Sequence, residues 1–250
     1  MDRDAFHKTF KAPGPVVLPV IHVIDSERTL ANIAHVVEQG AAGCFLINHD
    51  FGVDAFLPIV RDVRRAMTGL WLGVNFLGVT GERAFPLLGE LEADGCPIDA
   101  YWADDARIEE IEDDQWEADT IGETRTKSGW SGMYFGGTAF KKQRPVAPEN
   151  YEAAARNAVP FMDVITTSGV ATGQEADLTK IRDFRRGIGD APLALASGVT
   201  PDNARTYSDV DAFLVATGIN HPGNFYDIDP ERLAALMAVT RRLGQGRKDG

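Results

Sequence analysis

Eight short apolar runs, each separated from the next by a helix-like or polar interval, constrain this 250-residue chain more than any other feature. They are VVLPVIHV (Val16 to Val23), GCFLINH (Gly43 to His49), WLGVNFL (Trp71 to Leu77), DAYWAD (Asp99 to Asp104), GMYFGGTAF (Gly132 to Phe140), FMDVITTS (Phe161 to Ser168), PLALAS (Pro192 to Ser197) and DAFLVATG (Asp211 to Gly218). Short apolar runs alternating with helix-like segments are the signal of repeated βα units around a parallel sheet. The intervals supply the helices. In SERTLANIAHVVEQGA, Leu30, Ile33, Val36 and Val37 recur at helical spacing behind a Ser26 cap, and Gly40 marks the stop. LTKIRDFRRGIG and PERLAALMAVTRRL repeat that periodicity. The alternation predicts an α/β fold, a single (β/α)8 TIM barrel over residues 1–250, with a frayed tail at 244–250. A doubly wound open sheet shares the alternation, but no GxGxxG follows the first strand. The acidic fourth interval, within residues 104–131, reads as a solvated face with a less obvious helix.

A formal net charge of −12 opposes the phosphate backbone of nucleic acid, and no basic cluster offsets it, so nucleic-acid binding is not expected. Two cysteines, Cys44 and Cys96, lie far apart without a CxxC spacing, which speaks against a disulfide framework or a zinc ribbon and for a reducing, cytoplasmic setting. The N-terminal residues lack the apolar core of a signal peptide, and no run approaches the ~18 apolar residues of a membrane span, so no membrane partner is expected. Barrels often associate through their outer helices, which makes a homo-oligomer the expected state.

In a barrel the chemistry belongs at the C-terminal ends of the strands. Those ends supply His22, Asp25, Asn48, His49, Asp50, Asn75, Asp104, Lys141, Lys142, Thr167, Ser168, Ser197 and Thr217. At LALASGVTPDNA, Gly198 admits close backbone approach, Ser197 offers a hydroxyl, and a helix expected to begin near Pro201 would direct free N–H groups outward. Thr217-Gly218 ends the next strand in the same way, so the last two loops read as a phosphate cradle. Ser168, Gly169, Thr172 and Gly173, in TTSGVATGQEADL, form a glycine- and hydroxyl-rich loop that can close over a substrate. Asn48 and Asn75 are further polar candidates for substrate binding. His22 can titrate near neutral pH with Asp50 to orient it. Of the consecutive Lys141 and Lys142 one should face inward, and Lys141 is preferred for neutralising phosphate or an oxyanion. His22, His49 and Asp50 form no tight ligand motif, so no metal and no cofactor are expected.

The C-terminal third, with its S-G-x-A-T-G loop, its S-G-V-T-P-x-N turn and the helix opening DPERLAALM, resembles the BtpA-like family in order and spacing. GVNFLG at Gly73 to Gly78 and TAFKKQRPV at Thr138 to Val146 extend the resemblance, with Lys142 standing where that family has a histidine. VIDSERT, NHDFGVD and the lysine-free loop GINHPGNFYDID depart from its pattern. The resemblance implies a TIM barrel with a phosphate cradle. The combined expectation is a barrel enzyme acting on a small phosphorylated metabolite, a sugar phosphate or ribosyl phosphate compound, by isomerase, lyase or glycosyl-transfer chemistry. The alternative is a non-catalytic assembly or stability factor, or a metabolite-binding regulator, that retains the barrel.

Overall fold

A computed structural model describes residues 1–141 and 143–246; Lys142 and residues 247–250 lie outside the described residues. Eight parallel strands close into a barrel in sequence order: β1 (Val16–His22), β2 (Gly43–Ile47), β3 (Trp71–Asn75), β4 (Ala100–Ala103), β5 (Met133–Gly137), β6 (Val164–Thr167), β7 (Leu193–Leu195) and β8 (Ala212–Val215). Pairing of Val16 with Ala212 and of Pro19 with Val215 joins β1 to β8 and completes the ring. This is the (β/α)8 TIM barrel that the apolar runs imply. Every expected strand is present, each shorter than its apolar run.

Both strand faces are buried because each meets a different core. Outward residues such as Val17, Leu46 and Val74 pack under the helices with Ile33, Phe56 and Phe85. Inward residues fill the barrel itself, where Phe45, Trp102 and Phe135 do most of the filling. Gly73 lies opposite Phe45, and a Cβ there would collide with the ring, so the small residue makes room for the large one.

The helical layer consists of α1 (Arg3–Phe10), α2 (Ser26–Glu38), α3 (Val53–Ala66), α4 (Gly81–Ala93), α5 (Trp116–Ser128), α6 (Tyr151–Ala158), α7 (Leu178–Ile188) and α8 (Pro230–Gly246). Four features differ from expectation. Asp25, not Ser26, caps α2, its carboxylate accepting the Arg28 N–H at 2.8 Å; an ionised cap also favours the positive helix end. Gly40 ends that helix with φ of +71° as expected. No helix starts near Pro201: the segment is a turn followed by a 3-10 turn over Ala204–Tyr207. Of the tail expected to fray at 244–250, residues 244–246 are helical in α8, where a Cβ on Gly14 would lie 2.6 Å from the Gly244 nitrogen, and residues 247–250 lie outside the described residues.

The fourth difference is α1, to which the sequence reading assigned nothing. Asp2 caps it by accepting the Ala5 N–H at 2.7 Å. Its Phe6 and Phe10 rings close the N-terminal mouth of the barrel, 6.4 Å from Phe135 and 5.0 Å from Trp71 respectively. The acidic fourth interval is ordered by specific contacts: Arg144 binds Glu109 and Glu110, and Gln115 both donates to and accepts from the Glu109 backbone. Among the described residues no helix is long and apolar enough to cross a membrane.

Candidate functional site

All strands run the same way, so their C-terminal ends and following loops meet at one mouth. A cavity of about 260 Å³ opens there. Apolar Val20, Ile47 and Leu214 line its floor, while His22, His49, Trp102, Asp104, Lys141, Thr172, Thr217 and Phe225 supply its chemistry. A small, mostly apolar hollow with a few polar groups turned into it is the usual form of a small-molecule site.

His22 ends β1 and is 8% exposed. Its ring stacks on Phe225 with centroids 3.8 Å apart, and Nδ1 lies 3.1 Å from the Phe225 carbonyl oxygen. A carbonyl can only accept, so Nδ1 carries the proton and Nε2 is the basic nitrogen. Burial, helped by the nearby His49 ring at 5.8 Å, pulls the His22 pKa down to about 4. The imidazole is therefore neutral at neutral pH, as a proton acceptor must be.

Asp104 is the carboxylate inside the cavity. It follows β4, is almost fully buried, and accepts a hydrogen bond at 3.1 Å from the Asn75 amide, which arises at the end of β3. Lys141 reaches the same space from the loop after β5 and donates from Nζ to the Ala196 carbonyl at 3.1 Å. Its backbone N–H donates to the Ser168 hydroxyl at 2.9 Å, which ties the lysine to the β6 loop. Lys142, the other member of the pair, is outside the described residues. Asp50 is placed differently from Asp104: it is exposed on the rim, where it accepts the Tyr226 hydroxyl at 3.1 Å. Asn48 stands behind the cavity wall, donating to Phe51 O at 2.7 Å and accepting from Leu77 N at 3.0 Å, so it staples the second loop to the third.

The expected cradle residues divide into two groups. Thr172 and Thr217 line the cavity, and Gly173, with φ of +76°, lets the β6 loop arch against Thr217. Ser168, Gly169, Ser197, Gly198 and Gly218 instead join loop to loop. The Ser197 hydroxyl donates to Gln174 O at 2.9 Å and accepts from Gly169 N at 3.1 Å, while Ser168 donates to Gly169 O at 2.8 Å. Any Cβ on Gly198 would collide with the Gln174 carbonyl, and one on Gly218 with the Val199 carbonyl. Around Pro201 the Thr200 N–H is capped by the Asn203 side chain at 2.8 Å, in place of the outward-facing helix N–H groups that were expected.

Four contributors were not among the assigned site residues: His49, Asp104, Trp102 and Phe225. His49 and Asp104 were legible as polar strand ends. Trp102 read as an apolar strand residue, yet its buried indole N–H has no acceptor among the described residues, beside a cavity that can hold one. Phe225 lies in a loop whose course depends on tertiary contacts. Among the described residues no cluster of histidine, cysteine or acidic groups is placed to hold a metal ion.

No family model matches the sequence, and no curated protein matches it. Solved structures do. Tryptophan synthase subunit alpha from Legionella pneumophila str. Paris superposes with a TM-score of 0.62 at 18% identity, over 98% of this chain and 99% of that one. Phosphoribosyl anthranilate isomerase from Thermococcus kodakaraensis gives 0.62 at 17% identity, over 91% and 99%. A structure described as native KDPGal gives 0.60 at 11% identity, over 94% and 96%. The likeness is one of fold.

Proposed function

We propose that this chain is an enzyme acting on a small phosphorylated metabolite, a sugar phosphate or ribosyl phosphate compound, by isomerase, lyase or glycosyl-transfer chemistry. The observation that carries the reading is the convergence in one cavity of a neutral histidine, a buried carboxylate and a lysine, His22, Asp104 and Lys141. Such a set can remove a proton, return one, and neutralise the charge that develops on an oxygen between the two events. His22 Nε2 is the proton acceptor in this reading, Asp104 its partner acid or base, and the Lys141 ammonium the stabilising charge. Thr172 and Thr217 receive the phosphate at the rim, with the main chain at Gly173 and Gly218 beside them. Ser168, Gly169, Ser197 and Gly198 shape that rim by holding the loops together, and Asn75 orients Asp104.

Support for a phosphorylated substrate comes from similar solved structures, which include an isomerase of a phosphoribosyl compound. The BtpA-like pattern of the C-terminal third points the same way, and we retain that family, a cytoplasmic location and a homo-oligomeric state as parts of the proposal.

The test is a thermal-shift panel of pentose and hexose phosphates, followed by NMR detection of product or of solvent deuterium incorporated into any compound that stabilises the protein. Turnover that is lost in His22→Gln and Lys141→Met, both still folded, supports the enzyme. Stabilisation without turnover in the wild type favours the regulator reading. No stabilisation by any phosphorylated compound overturns the proposal.

A further inference from the structure

The central cavity has a neighbour. A second cavity of about 340 Å³ opens between the loops that follow β5 and β6, and Lys141 belongs to the walls of both. Its charged lining comprises Lys141, Arg144 and Lys180 against one carboxylate, Asp177. Arg144 is already matched by Glu109 and Glu110. Lys180 is not matched in this way.

Lys180 enters from the first turn of α7 and is 7% exposed. Its ammonium donates to Ala139 O at 2.5 Å and Ser168 O at 2.8 Å, and lies 5.0 Å from the centroid of the Tyr151 ring. No carboxylate of the described residues pairs with it, and burial alone pulls its pKa down to about 8. An ammonium has three N–H bonds, and two carbonyls account for two of them. Burying a cation without a counter-charge is costly unless something offsets it. One of the two carbonyls belongs to Ala139, whose φ of +45° is a conformation that residues with a Cβ avoid. Phe140, Val146 and Val170 add apolar surface to the chamber beside the polar Gln143 and Ser168.

We propose that this side chamber receives a carboxylate of the substrate, which is then a phosphorylated sugar acid with its reacting carbon and phosphate in the central cavity and its acid end extended past Lys141 to Lys180. The inference rests on the phosphorylated-metabolite reading above and narrows it. One buried ammonium without a carboxylate partner among the described residues matches the single charge of a carboxylate. A second phosphate would bring up to two charges to the same point.

Isothermal titration with three probes tests it: glucose 6-phosphate, 6-phosphogluconate and malonate, each against the wild type, Val170→Trp and Lys180→Met. Val170 is 81% exposed on its loop, so a tryptophan there can fill the chamber mouth without disturbing the core, which covers the case in which Lys180→Met fails to fold. The expected result is that 6-phosphogluconate binds the wild type at least tenfold more tightly than glucose 6-phosphate, and that this ratio falls toward one in the variants. Equal binding of both sugars overturns the side chamber and leaves the phosphate reading standing. Malonate binding that Val170→Trp abolishes, with neither sugar phosphate binding, supports a carboxylate chamber and removes the phosphorylated substrate. No binding by any of the three overturns both.

Discussion

The two ends of the barrel are finished in opposite ways. At the N-terminal end, α1 lays Phe6 and Phe10 across the opening, and Asp211, with 0% exposure, gathers Arg3 at 2.9 Å, His7 at 3.0 Å, Arg185 at 2.7 Å and the Leu193 N–H at 2.9 Å. Burial by itself would raise that carboxyl, yet the His7 hydrogen bond and the Arg185 and Arg3 charges outweigh it and hold the group well below the ordinary carboxylate range. At the C-terminal end the corresponding positions hold a histidine kept neutral by burial, an indole N–H without an acceptor among the described residues, and a hollow. At the closed end the buried carboxylate is completed by its neighbours, although Arg185 Nε is buried with no hydrogen-bond partner among the described residues. Polar groups at the open end are completed in part by what enters.

Removing the charge at the closed end should have the largest effect. Asp211→Asn leaves Arg185 and Arg3 facing each other without their counter-ion, and the expected loss is about 3–5 kcal/mol in urea unfolding. Activity per folded molecule should be retained, and a variant that stays as stable as wild type would show that the cluster does not lock α1 down. Phe6→Ala should cost a comparable ~3–4 kcal/mol by opening a cavity beneath the barrel.

The open end should answer differently to the same kind of change. His22→Gln is expected to lower turnover by about 10²–10⁴-fold while moving the urea midpoint little, since it removes a proton acceptor and no buried charge pair. A large loss of stability with turnover intact would assign His22 to the closed-end type.

Acid should separate the ends in pH. The folded pKa of His22 lies below its unfolded value of about 6.5, so between the two the unfolded chain binds more protons and stability falls as pH drops from about 6.5 toward about 4. That contribution amounts to roughly 3 kcal/mol, and it should be absent in His22→Gln. The lowered Asp211 carboxyl supplies stability above its unfolded value of about 4, which is lost only as pH falls further. Two steps in a urea-midpoint profile, the upper one erased by His22→Gln, are the expected outcome, and a single step near pH 4 in both proteins would refute the assignment.

The smallest effect is expected at Trp102. Trp102→Phe removes the buried donor that lacks a partner, so stability should stay within about 1 kcal/mol of wild type, with lost packing offset by relief of the unmet N–H. Affinity for a stabilising phosphorylated ligand should fall, and undiminished affinity would place the indole N–H outside the binding surface.

The strands and their order of use along the chain were legible because parallel strands must be apolar on both faces, a local property that composition records directly. Gly40, as the stop of α2, was legible for the same reason: a left-handed residue favours glycine whatever surrounds it. The polar ends of the strands were legible as a set, since the barrel sends them all to one mouth. Which carboxylate enters the cavity was not, because Asp50 and Asp104 both follow strands and the choice between them depends on how the second and eighth loops meet through Tyr226. The same limit applies to Ser197 and Gly198. Their residue types correctly signal a close approach to a backbone, but the carbonyl that approaches belongs to Gln174 of the same chain. For α1, two phenylalanines in a short polar segment carry no periodicity strong enough to announce a plug; only the closed barrel creates the apolar opening they fill. Lys180 shows the division most plainly. Its helix is written in the LTKIRDFRRGIG spacing, whereas its burial against the Ala139 and Ser168 carbonyls exists only where the β5 and β6 loops converge. Sequence alone determines which segments become strands and helices, because that depends on near neighbours; loop convergence brings together residues distant in the chain, and tertiary structure alone decides which of their groups find partners.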